Sequence, residues 1–119
     1  LIGLEDKVML AFRVMLGLIL IILSAYTGKV LSTEGWTLFQ VFFGDMAKLQ
    51  WPGQFNLDFM FMLSMSGLWV AWRHRFSPVG LGLGVLAFFG GFGFLGVYLL
   101  VLSLRSRDGI RGILLGDRA

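Results

Sequence analysis

The sequence predicts an all-α integral membrane protein. It has three transmembrane helices and one interfacial amphipathic helix, the second and third spans forming an antiparallel hairpin. Three observations carry this prediction. Hydrophobic residues make up 57% of the 119-residue chain and charged residues only 14%, against roughly 25% charged in ordinary soluble domains. The apolar residues gather in long runs, and about twenty of them make a helix that crosses a hydrocarbon core of roughly 30 Å. The basic residues sit at the ends of those runs, where they meet lipid headgroups and the aqueous boundary. A chain of this length is one domain, here a single membrane domain over residues 1–119.

The first span covers residues 8–28, with the continuous apolar stretch VMLGLILIILSAY from Val14 to Tyr26. Arg13 lies early in it and is expected to snorkel to the near interface, since its long stem reaches headgroups from a turn inside. Tyr26 and Lys29 mark the far boundary. No small-residue cleavage site follows the run, so it reads as a retained anchor and not a signal peptide.

Residues 36–50 are too polar for a span. On a helix, Thr37, Gln40, Gly44 and Lys48 share a narrow face, with Asp45 at its edge and Trp36, Phe39, Phe42, Phe43, Met46 and Leu49 around the rest. A broad aromatic face with a thin polar stripe suits a helix lying in the interface plane or docked against a partner subunit. Trp51-Pro52-Gly53 is then expected to break the chain, because proline disfavours helical geometry in the residue before it.

The second span covers residues 55–72, with Trp69 and Trp72 in an interfacial aromatic belt. Arg73-His74-Arg75 follows at the water boundary. Ser77 and Pro78 restart a helix as N-cap and first helical residue. The third span, residues 78–104, carries no charge. Its 27 residues make about 40 Å of helix, more than the hydrocarbon core needs. Tilt, a kink near Gly90-Gly91 or emergence of one end would absorb the excess. The tail, residues 105–119, is Arg-rich and punctuated by glycines that weaken any helix there.

In lipid, helices associate through close backbone contact and dispersion, which favours small residues at the crossing. Gly80, Gly84, Ala87 and Gly91 form one stripe at helical spacing, and Ser64, Gly67 and Ala71 form another. These two stripes are expected to face each other.

Several chemistries are excluded or disfavoured. The chain has no Cys and one His, so thiolate chemistry and multi-histidine metal or haem sites are absent from it. The glycines after Pro78 lie in an apolar run without a preceding strand or a phosphate-binding lysine. The net charge of +3 is placed for lipid and not for nucleic acid. No catalytic set is visible, and the chain reads as non-enzymatic. Asp58, near the start of the second span, is the acid of most interest. It is either a cation, proton or partner site, or an interfacial carboxylate capping the helix N-terminus, the latter favoured by Gln54 and Asn56 nearby. Arg73, His74 and Arg75 form a candidate site for anionic lipid headgroups. His74 as a pigment or haem ligand is the less favoured reading, since it lies outside the spans. No intrinsic cofactor is expected. Met60, Met62, Met65 and the phenylalanines at 88, 89, 92 and 94 offer contacts for lipid tails, for a carotenoid or other pigment, or for a partner helix.

The block Gln54–Pro78, QFNLDFMFMLSMSGLWVAWRHRFSP, resembles small uncharacterised bacterial inner-membrane proteins with three helices. The resemblance rests on QFNLDF, LWVAWRH and the Gly-rich helix after FSP, and covers about the last two-thirds of the chain. It implies a multi-pass protein of the bacterial inner (cytoplasmic or intracytoplasmic) membrane and carries no activity. The expectation for function is an accessory or structural subunit of a larger membrane complex, such as a photosynthetic or respiratory assembly, with other integral membrane subunits and phospholipids as partners. The alternative is a stand-alone small transporter or lipid-interacting protein. Three spans would place Lys7, Arg13, Arg73 and Arg75 on one side and the six other Lys and Arg on the opposite side, too even a split to orient the chain.

Overall fold

The computed structural model describes residues 3–106 and 109–116. They form five helices: α1 (Leu4–Glu34), α2 (Leu38–Ala47), α3 (Trp51–Arg73), α4 (Pro78–Arg105) and α5 (Gly109–Leu115). No strand occurs among the described residues. By length and composition alone, two helices, α1 and α4, could cross a membrane. α3 is long but more polar, since it carries Gln54, Asn56, Asp58, Ser64 and Ser66.

Each helix begins and ends for local reasons. α1 overruns the expected 8–28 at both ends because nothing in Leu4–Lys7 or Lys29–Glu34 opposes helix; Gly35, at φ 67°, ends it. α2 is shorter than the expected 36–50. The break also falls earlier than Trp51-Pro52-Gly53: Leu49 takes φ 55°, and α3 starts at Trp51 with Pro52 in its first turn. Proline is at home there, because the first-turn N–H groups have no intrahelical acceptor. Gly53 has a separate task. It is buried against the backbone of Asp45 and Met46, where a Cβ would collide, and so lets α2 fold back on α3. Asn56 Nδ2 donates to Phe42 O at 3.0 Å across the same contact. Ser77 caps α4, its Oγ accepting from Gly80 N at 3.1 Å.

α4 is not a rod. Gly91 has φ 57° and ψ −146° in the middle of it, a region open essentially to glycine alone. The contacts on either side of Gly91 show how far the chain turns. A Cβ on Gly80 would lie 2.5 Å from His74 Cβ, while the Tyr98 hydroxyl is 2.6 Å from His74 Nε2. Eighteen residues of straight helix would hold Gly80 and Tyr98 about 27 Å apart. Both meet one residue, so α4 folds back on itself at Gly91. The expected third span is thus two arms, 78–90 and 92–105, each about 20 Å long. A kink near Gly90-Gly91 is present, and it is a reversal.

This reversal sets the packing. The first arm runs antiparallel to α3, with Gly67 against Gly84 and His74 near Gly80. The second arm runs antiparallel to α1: Leu20 packs on Gly96 and Arg13 reaches Ser103. One end of the molecule therefore gathers the start of α1, the α3–α4 loop, the end of α4, and α5. The other end gathers the C-terminal part of α1, α2, the start of α3 and, deeper in, the Gly91 apex. The glycines of the tail were expected to weaken any helix there. Instead residues 109–115 fold as α5, because α3 supplies the hydrogen bonds its end lacks, as described next.

Candidate functional site

The inward-facing polar groups form two clusters, and both close helix ends. The last carbonyls of a helix have no intrahelical donor, and cations are favoured beside them. At α5, Arg73 Nε donates to Ile113 O at 2.6 Å and Arg73 Nη2 to Gly112 O at 3.1 Å. Trp69 Nε1 donates to Leu114 O at 3.0 Å. Arg73 Nη1 also lies 3.4 Å from the Tyr98 hydroxyl, and Tyr98 stacks on Phe94 and meets Trp69 edge-on. At the end of α4, Arg13 Nη2 donates to Ser103 O at 2.6 Å and Arg13 Nε to Ser103 Oγ at 3.3 Å. Ser103 is fully buried and its hydroxyl donates to Leu100 O at 2.7 Å. Arginine suits both places because its fork of donors serves two acceptors at once and never loses its charge.

These contacts correct three expectations. Arg13 does not snorkel to the interface; it caps α4 from α1. Arg73 does not face headgroups; it turns inward onto α5. His74 is likewise turned toward Tyr98. Of the three residues in the basic boundary, Arg75 alone is exposed, at φ 58°. Sequence reasoning missed the capping roles because they join residues 40 and 90 positions apart, and no local pattern announces such a pairing.

The small-residue stripes meet, with one exception. Gly67, Ala71, Gly80, Gly84 and Ala87 are buried, and an added Cβ on Gly67 or on Gly84 would lie 2.8 Å from the other residue's carbonyl oxygen. Ser64 is the exception: it is exposed, and its hydroxyl bonds to Met60 O at 3.0 Å in its own helix. Val70, fully buried, lies on the contact face of α3 instead. Gly91 also faces α3, beside Phe59 and Leu63, and its conformation makes it the turning point of α4 as well.

Asp58 is exposed. Because α3 begins at Trp51, Asp58 lies two turns in, about 10 Å past the start. The free N–H groups belong to the first turn alone, so the capping role expected for Asp58 is ruled out. Its outward neighbours one and two turns on are Met62 and Met65, both exposed.

The reversal of α4 also leaves a space. A straight α4 would have filled the far half of the bundle; instead an apolar groove of about 670 Å³ lies beyond the apex. α1 contributes Leu23 and Thr27 to it, α2 contributes Phe39 and Phe42, α3 contributes Phe59, and the apex contributes Phe88 to Gly93. Among the described residues no group of three or more His, Asp or Glu is placed to hold a metal ion. No known protein family, curated protein or solved structure is detectably similar to the chain.

Proposed function

We propose that the chain is a non-enzymatic accessory or structural subunit of a larger membrane complex, in a bacterial inner membrane. In this reading α1 and α3 cross the bilayer, α4 enters and returns, and α2 lies at the far interface. The observation that carries it is the inverted polarity of the bundle. Leu18, Ile21 and Ile22 of α1 and Phe55, Phe61, Met62 and Met65 of α3 face outward, while Arg13, Arg73, His74, Tyr98 and Ser103 turn inward onto one another. An outside of that composition needs lipid or other membrane helices around it. The inward polar groups are spent on helix ends, which supports a scaffold and leaves the outer faces for partners. Extraction in a mild detergent followed by native sizing and mass spectrometry tests this. Comigration with a large assembly of other membrane proteins is the expected result, and a homogeneous small species active in vesicle transport would overturn it.

A second reading, a lipid-interacting protein, is favoured by the groove beyond the apex. Its volume lies within the roughly 300–1,000 Å³ of ligand sites, and aromatic rings dominate its wall. Phe59→Trp would shrink the groove. If it holds an acyl chain or a pigment tail, the amount of that molecule retained through delipidation falls with this variant and not with Phe61→Trp, which lies on the outer face.

A further inference from the structure

We infer that the end of the molecule formed by the start of α1, the α3–α4 loop and α5 faces the cytoplasm, where its cations form a collar for the anionic headgroups of the inner leaflet. This rests on the membrane-spanning reading above and adds to it a side and a partner surface.

The reversal at Gly91 is what makes a side assignable. If α4 crossed straight, its C-terminal end would emerge opposite the start of α1, and the basic residues would divide almost evenly between the two faces. In the folded-back chain, Arg13 caps α4 at Ser103 and Arg73 caps α5 at Gly112 and Ile113. The start of α1, the end of α3, the end of α4 and α5 therefore share one face. Of the eight described Lys and Arg, six lie toward it: Lys7, Arg13, Arg73, Arg75, Arg105 and Arg111. Only Lys29 and Lys48 lie toward the other, where Lys48 pairs locally with Asp45 at 4.0 Å. Retention of Lys and Arg on the cytoplasmic side orients membrane chains when they stand close to helix ends. A six-to-two division meets that condition.

The same face has the chemistry of a headgroup contact. Arg13 and Arg73 are occupied by carbonyls, so Lys7, Arg75, Arg105 and Arg111 supply its exposed charge. Arg75 closes the α3–α4 loop, Arg105 ends α4, and Arg111 lies on the outer side of α5. Each cation beside an anionic leaflet adds to its attraction for that surface. The described acids on this face, Glu5 and Asp6, lie in the first turn of α1, where they complement its dipole.

The chain contains no Cys, so single cysteines report without background. Leu4→Cys, Trp36→Cys and Leu114→Cys, all at exposed positions, would be treated in whole cells with a membrane-impermeant maleimide, before and after permeabilisation. The expected result is labelling of Trp36→Cys from outside and of the other two only after permeabilisation. Labelling of Leu4→Cys and Leu114→Cys from opposite sides would overturn the inference and leave the membrane reading standing. Recovery of all three in the soluble fraction would overturn both. Arg75→Gln, Arg105→Gln and Arg111→Gln, combined in one chain, leave three of the described cations on this face against two on the other. This variant is expected to cut outside labelling of Trp36→Cys by roughly half as some chains insert inverted, and to lower copurifying phosphatidylglycerol at least about twofold. Unchanged orientation and unchanged phosphatidylglycerol would overturn the collar.

Discussion

The crossing of Gly67 and Gly84 sets a quantitative expectation for Gly84→Ala. The new Cβ would stand 2.8 Å from Gly67 O and 3.4 Å from Ala71 Cβ. Carbon–oxygen contacts between packed helices settle near 3.3–3.6 Å, so α3 and the first arm of α4 must part by about half an ångström. Forcing an extra methyl into a close contact costs about 1–3 kcal/mol, and the better helix propensity of alanine returns up to about 1 kcal/mol. A net loss of about 1–2 kcal/mol should appear as a roughly 5–30-fold shift toward the unfolded form. Gly67→Ala should behave alike, since its Cβ would lie 2.8 Å from Gly84 O. The double variant should cost less than the sum, because one separation of the helices makes room for both methyls. Gly82→Ala is the control: nothing lies within 4 Å of its Cβ, so it should be neutral or slightly stabilising. Reversible unfolding in mixed micelles, followed by tryptophan fluorescence, measures all four. If Gly84→Ala is as stable as Gly82→Ala, the close crossing is refuted.

Other perturbations probe other joints. Gly91→Ala forces a side chain into a backbone region that costs about 1–3 kcal/mol and favours straight helix at the apex, so it should weaken the fold and reduce contact between Tyr98 and His74. Loss of Tyr98 quenching in the Trp69 environment would report it. Arg73→Gln removes charge-assisted bonds worth about 1.5–3 kcal/mol; hydrogen exchange at residues 109–115 should accelerate while α1 stays protected. Ser77→Ala removes the α4 cap and should cost about 1 kcal/mol by the same unfolding assay. Ser66 Oγ is buried without a hydrogen-bond partner among the described residues, so Ser66→Ala should leave stability unchanged or raise it by about 1 kcal/mol; a loss would mean that a partner is present in the membrane.

Helix positions and the α3–α4 pairing were legible in the sequence because they rest on local signals. Apolar runs, Ser77-Pro78 at a helix start and glycines at helical spacing each act within a few residues. The boundary at Trp51-Pro52-Gly53 was misread because proline serves two opposite roles, ending one helix or opening the next, and only the φ 55° at Leu49 decides between them. The reversal of α4 was hidden for a related reason. Glycine is common in membrane helices, and nothing in GG distinguishes a mild kink from a full turn until Tyr98 is seen beside His74. The inward roles of Arg13 and Arg73 follow from that turn. A straight α4 would have carried Ser103 and α5 out of reach, leaving both arginines for the headgroups where the sequence placed them.

The fold-back of α4 bears most of this weight, and a single distance tests it. Spin labels on Val79→Cys and Val101→Cys, both exposed positions on α4, can be measured by pulsed electron resonance in lipid nanodiscs. A continuous helix would hold the two backbones about 33 Å apart. The reversal at Gly91 should shorten the mean distance by at least about 10 Å, since His74 reaches both arms. A single population near the full helical length would contradict the fold-back, and with it the side proposed for the chain.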